Sequence, residues 1–236
     1  WSNNIGLRLG FFNRVNLDID FYHKKTTDML MSVPESYAIT GEGYRWDNIG
    51  AMVNRGVEVS VNSDIIRTKD FTWNLNANVS YNKNKLVELY NGVQEYVNST
   101  TGLKFVVGHP VHEYFLDRYA GVIPANGDAL WYTKDGELTT EFNESDKVMT
   151  GKTFDSPWAG AFGTTFAWKG LSLSAQFSWM ADRWVMNNDR FFEESNGLYS
   201  TYNQSRRLLY DRWKKPGDIT DIPRYGVTAQ LDDRFL

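Results

Sequence analysis

The chain has 236 residues, 42% hydrophobic and 23% charged, with a net charge of -4, a balance that excludes disorder and suits one large domain or two small ones. Lysine and arginine are scattered, so no basic surface for nucleic acid is expected, and without cysteine there is neither a disulfide frame nor a thiol or zinc-finger site. No run approaches the roughly 20 apolar residues of a membrane-spanning helix, yet a mean hydropathy of -0.48 does not exclude spanning strands, in which only every second residue must be apolar.

In chain order, Ile5, Leu7, Leu9 and Phe11 open an alternating series. Val15, Leu17, Ile19 and Phe21 then alternate with Asn16, Asp18 and Asp20, and Val57, Val59 and Val61 with Glu58, Ser60 and Asn62. The clearest run sets Phe71, Trp73, Leu75, Ala77, Val79 and Tyr81 against Thr72, Asn74, Asn76, Asn78 and Ser80. Phe162, Phe166 and Trp168 alternate with small residues, and Leu171, Leu173, Ala175, Phe177 and Trp179 with Ser172, Ser174, Gln176 and Ser178. Successive side chains of a strand point to opposite faces, so each run predicts a strand with one apolar and one polar side. The spacing predicts strands over about 4–11, 15–31, 52–66, 71–89, 158–168 and 171–182.

The strands fall into pairs closed by short turns at Asn13 and Arg14, Arg67 to Asp70, and Lys169 and Gly170. Long segments over 32–51, 90–157 and 183–236 separate the pairs. Bacterial membrane barrels keep short turns on the periplasmic side and long loops outside. The fold class is therefore read as all-β, a segment of an antiparallel transmembrane β-barrel, its apolar face toward lipid and its Asn- and Ser-rich face toward a wet lumen. Phe71 and Trp168 near the short turns, and Tyr81 and Trp179 near the long loops, match the two aromatic girdles of such barrels. A soluble carbohydrate-binding β-sandwich is the competing reading and would bury Phe71, Trp73 and Trp179 in a core.

The run Asn48, Ile49, Gly50, then Asn54, Arg55, Gly56, Val57, Glu58, resembles the motif that opens a late barrel strand in TonB-dependent receptors. The segments FFNRVNLDIDFYHKKTTDML, NLNANVSYNKNKL, YAGVIPANGDALWY and RWKKPGDITDIPR resemble, in order, the C-terminal half of the SusC/RagA type found in Bacteroidetes. The resemblance implies an outer-membrane location and a barrel of roughly 22 strands. It also implies a plug domain absent from this chain, a TonB-contacting segment, and a SusD-like surface lipoprotein that lids the barrel. The cargo it implies is an oligosaccharide or, in some members, a peptide. Trp1 is read as a cut rather than a start, and LDDRFL resembles the point just before the last strands of that barrel. A structural or adhesive barrel without transport is the other membrane reading.

No nucleophile elbow, P-loop or dinucleotide fingerprint is present, so no enzyme and no cofactor is expected. His109 and His112 have a spacing that allows a shared metal, but Pro110 separates them and no third ligand is evident, so they are read as loop residues. PANGD, Pro124 to Asp128, lacks the alternating carboxylates of a calcium loop and reads as a turn. Loop aromatics carry the ligand-binding expectation: Trp131, Tyr132, Trp158, Trp184, Tyr202 and Trp213, with Tyr199 and Tyr210 beside them, offer flat faces on which sugar rings stack.

Overall fold

Long period-two runs satisfy their backbone groups only by pairing with one another, and that pairing organises most of the chain. The computed structural model describes residues 1–48, 50–97 and 104–236. Its strands in chain order are β1 (Ser2–Phe11), β2 (Val15–Thr26), β3 (Leu30–Pro34), β4 (Tyr44–Asn48), β5 (Ala51–Arg67), β6 (Phe71–Glu88), β7 (Glu95–Val97) and β8 (Lys104–Val106). They continue with β9 (Glu113–Leu116), β10 (Arg118–Val122), β11 (Ala129–Tyr132), β12 (Leu138–Thr139), β13 (Val148–Thr153), β14 (Trp158–Trp168) and β15 (Leu171–Ala181). Two compact units result, one of residues 1–113 and 153–183, the other of 114–152 and 184–236.

The first unit is built on a six-stranded antiparallel sheet in the order β1-β2-β5-β6-β14-β15, so the six alternating runs lie side by side in chain order. Register joins their apolar residues into rows. One runs Ile5, Phe21, Val57, Tyr81, Trp158 and another Leu9, Leu17, Val61, Ala77, Phe162, Phe177. The opposite face carries Asn16, Asn62, Asn76, Gly163 and Gln176 in one row. The apolar side chains have nothing to bury against: Ile5 is 74% exposed, Leu173 67% and Phe177 55%. A soluble sandwich would bury this face, so that reading fails, and lipid is the solvent that suits it. The barrel is not closed within this stretch, because β1 and β15 end the sheet.

Two polar groups near the middle of the apolar face are paired within the wall. The Trp73 indole donates to Thr164 Oγ1 at 2.9 Å, and that hydroxyl donates onward to the Asn74 carbonyl at 3.3 Å. The alternation of β5 ends at a bulge between Asp64 and Ile66, which accounts for the adjacent Ile65 and Ile66: after the extra residue, Ile66 rejoins the apolar face opposite Trp73.

The single strand expected over 15–31 is interrupted. Asp28 takes a left-handed conformation (φ 55°), and Leu30–Pro34 leave the large sheet to pair with Tyr44–Asn48. Asp tolerates that conformation better than most residues, so a local break overrides the run of strand-compatible residues around it. The first short turn takes in Phe12 as well as Asn13 and Arg14, with Phe12 and Asn13 both at positive φ.

Gly56 is fixed by a close approach on the polar face. A Cβ there would fall against the Tyr81 carbonyl and 2.6 Å from the Tyr22 hydroxyl, because the Tyr22 ring crosses Gly56 to donate to Asn82 Oδ1 at 2.9 Å. In urea unfolding of the parent protein in detergent, Tyr22→Phe should cost about 1 kcal/mol for the lost hydrogen bond. Gly56→Val should cost more, roughly 1–3 kcal/mol, because the strand pair must also shift. A Gly56→Val variant as stable as Tyr22→Phe would show that the approach does not constrain the sheet.

Candidate functional site

The polar face opens, at its long-loop end, onto a cavity of about 430 Å³ within the first unit. Its floor is formed by Met52 of β5 and Leu86 of β6, which stand opposite each other in register. Both occupy positions where the alternation calls for polar residues, since Gly56, Asn54, Asn82 and Asn84 share their face. Leu86 is 1% exposed and packs in a cluster with Leu89 and Tyr96, against which Met29, Phe105 and Val111 lie. Leu30, Ser32 and Trp46 of the β3-β4 hairpin line the opposite side.

The polar atoms inside this cavity are largely committed. Asn84 Nδ2 donates to Asn54 Oδ1 at 3.0 Å, Asn84 Oδ1 accepts the Val111 N–H at 2.9 Å, and the Tyr96 hydroxyl donates to the Ser32 carbonyl at 2.7 Å. At the edge His112 Nδ1 meets Asp155 Oδ2 at 2.7 Å, with both side chains about half exposed. His109 instead pairs with Glu113 at 2.9 Å, so the two histidines meet different carboxylates. The arrangement is suited to apolar groups inside and to hydrogen bonding only at the mouth.

The six aromatics expected to bind ligand have varied settings. Trp158 belongs to β14 rather than to a loop and stands in the apolar row, its ring centroid 4.6 Å from that of Tyr81. The other five lie in the second unit. Trp131 is 5% exposed, and its indole donates to Asp232 Oδ2 at 2.9 Å, which makes it a core residue there. Trp213 donates to the Pro124 carbonyl at 3.0 Å and lies against Gly127, where a Cβ would come within 2.5 Å of the ring. PANGD is thus the β10-β11 turn, and the later RWKKPGDITDIPR segment docks on it, with Arg224 also bonding Asp128 at 2.9 Å. Trp184 carries Lys152 over its ring at 4.4 Å, Arg118 lies over Tyr132 at 5.4 Å, and Tyr202 stacks on Phe192 at 5.5 Å. These three remain between 36% and 55% exposed.

The second unit has a polar centre of its own. Asp117 and Asp232 are 1% and 0% exposed and lie together at a short parallel bridge. Arg234 Nε stands 3.0 Å from Asp232 Oδ1, whereas Asp117 Oδ2 is buried without a hydrogen-bond partner. Burial pushes the Asp117 carboxyl up to about 6; Lys147 opposes the shift, and Asp232, Asp146 and Glu144 add to it. Nearby, Arg207 binds both oxygens of Glu194 at 2.8 Å and both of Asp221 at 2.9 and 2.8 Å, tying the loop segments together.

Sheet, faces and cavity together define an outer-membrane β-barrel wall. The chain belongs to a particular family of such barrels: residues 1–231 match the family described as TonB dependent receptor-like, beta-barrel. A TonB-dependent receptor of Formosa agariphila is 25% identical over 96% of this chain and 26% of its own length. SusC of Bacteroides thetaiotaomicron is 41% identical over 90 residues, 38% of this chain and 9% of SusC. The solved RagAB peptide transporter superposes with a TM-score of 0.91 at 32% identity, over 99% of this chain and 26% of that chain. The chain therefore spans about a quarter of the length of the relatives it matches over its whole extent.

A carboxyl raised by folding keeps its proton better in the folded state, so the stability of the second unit should fall as pH rises between roughly 4 and 6. Asp117→Asn removes the charge. Hydrogen-exchange protection over 114–122 should therefore exceed that of the unaltered protein at pH 7.5 and match it near pH 4. Equal protection at both pH values would contradict the assignment.

Proposed function

We propose that the protein carrying this chain imports oligomeric nutrients across the outer membrane, together with a SusD-like surface lipoprotein and with energy delivered through TonB. In this role the chain is not catalytic: it supplies wall, lumen lining and extracellular loops, and the plug and the TonB-contacting segment lie outside it. The observation that carries the reading is the polar inner face that leads, at the long-loop end, into an apolar cavity with hydrogen-bonding groups at its mouth.

Two substrate classes compete. Peptides are favoured by that cavity, whose committed amides leave little for sugar hydroxyls. The likeness to the RagAB peptide transporter over 99% of the chain adds support. Oligosaccharides, the cargo that the resemblance to the SusC/RagA type implies, draw support from the exposed rings of Tyr132, Trp184 and Tyr202. Trp131 and Trp213 are better explained by their packing than by sugar stacking.

Deleting the parent gene tests both readings. Growth on a defined peptide mixture should be lost, and growth on the same amino acids supplied free should be unchanged. Normal growth on peptides combined with loss of growth on one glycan would move the assignment to oligosaccharide uptake. Normal growth on every peptide and glycan tried would remove the import reading.

A further inference from the structure

The lysines and arginines that look scattered in the sequence are gathered by strand register. On the outward face of the sheet, the last apolar row toward the long loops is Phe21, Val57, Tyr81 and Trp158. One row further, His23 stands opposite Arg55, and Arg55 opposite Lys83. In the next row Lys25 and Lys85 flank Val53. The side chains facing outward on β5 and β6 thus change from apolar to cationic across a single row, with the His23 imidazole of β2 beside them. Paired residues on one face of an antiparallel sheet lie about 5 Å apart, and like charges directly opposite repel.

No acidic partner relieves that repulsion. Among the described residues, none of Lys25, Arg55, Lys83 and Lys85 forms an ion pair, and His23 only meets the edge of Trp1, at 4.9 Å between centroids. The carboxylates of Asp18, Asp20 and Glu58 lie on the opposite face, and Glu88 stands beyond the cationic rows, opposite Ala51. His23, Arg55 and Lys83 are exposed to solvent. The height of the row decides what they meet. The apolar stretch of β6 from Phe71 to Tyr81 matches the 9–11 residues of a spanning strand, so Lys83 sits at headgroup level on the long-loop side.

We infer that this patch is a binding site for the phosphorylated headgroup of an outer-leaflet lipid. Arg55 supplies a planar fork for two phosphate oxygens, Lys83 and the pair Lys25 and Lys85 supply further charge, and the Tyr81 and Trp158 rings below seat the start of the acyl chains. The inference rests on face and register alone and stands whichever cargo the protein carries.

The test uses the full-length parent protein in detergent. The probes are diphosphoryl lipid A, phosphatidylcholine and inorganic phosphate, and bound lipid is read by native mass spectrometry. Lipid A should be retained in preference to phosphatidylcholine, and millimolar inorganic phosphate should not displace it. The Arg55→Ser, Lys83→Ser double variant should lose at least about tenfold in lipid A affinity, the scale expected when charge-assisted phosphate contacts are removed. The charge-retaining pair Arg55→Lys, Lys83→Arg should restore most of the binding. Both positions are exposed, so the barrel should fold in every case, which heat-modifiable gel mobility verifies. Equal retention of lipid A by the double-serine variant would overturn the proposal. So would retention no better than phosphatidylcholine, or displacement by inorganic phosphate, which would mark the patch as a general anion site.

Discussion

Inside a bilayer no water is available to a backbone amide, and each unpaired group costs several kcal/mol. That requirement governs the first unit. Neighbouring long strands exchange their backbone hydrogen bonds, so the side chains are released to face two different solvents. Period two follows directly, and with it the split between the Leu9 to Phe177 row and the Asn16 to Gln176 row. Even Thr164, a hydroxyl on the lipid face, is spent within the wall between Trp73 and the Asn74 carbonyl.

Exceptions to the alternation mark the places where the wall does more than span. Met52 and Leu86 break the polar face and become the floor of a cavity. Arg55 and Lys83 break the apolar face and mark where hydrocarbon gives way to headgroups. Gly56 removes a side chain altogether, so that Tyr22 can cross the strand to Asn82. On both faces the departures gather in the same few residues of β5 and β6, at the long-loop end.

The long strands were legible because alternation recurs in six separate runs, of which Phe71 to Tyr81 is the longest, and their side-by-side order followed from the short turns between them. The β3-β4 hairpin was not legible, since its break depends on the conformation of Asp28. The second unit was hidden for a different reason. Its strands have two to six residues, too few to establish a period, and its contacts join distant segments. Trp131 reaches Asp232 across 101 residues and Trp213 reaches Pro124 across 89, so both resembled free loop aromatics in the sequence and are packed in the fold. One signal for the cavity was available: Met52 and Leu86 stand out of phase with their strands.

One face of these strands meets lipid and the other water. The chain contains no cysteine, so once any cysteine elsewhere in the parent protein is replaced, spin labels can be attached one at a time at positions 171–179 in lipid vesicles. Collision with oxygen, which dissolves in the bilayer, should peak at positions 171, 173, 175, 177 and 179. Collision with a water-soluble nickel complex should peak at 172, 174, 176 and 178. Nickel access at every position, or oxygen and nickel profiles with no period of two, would contradict the account.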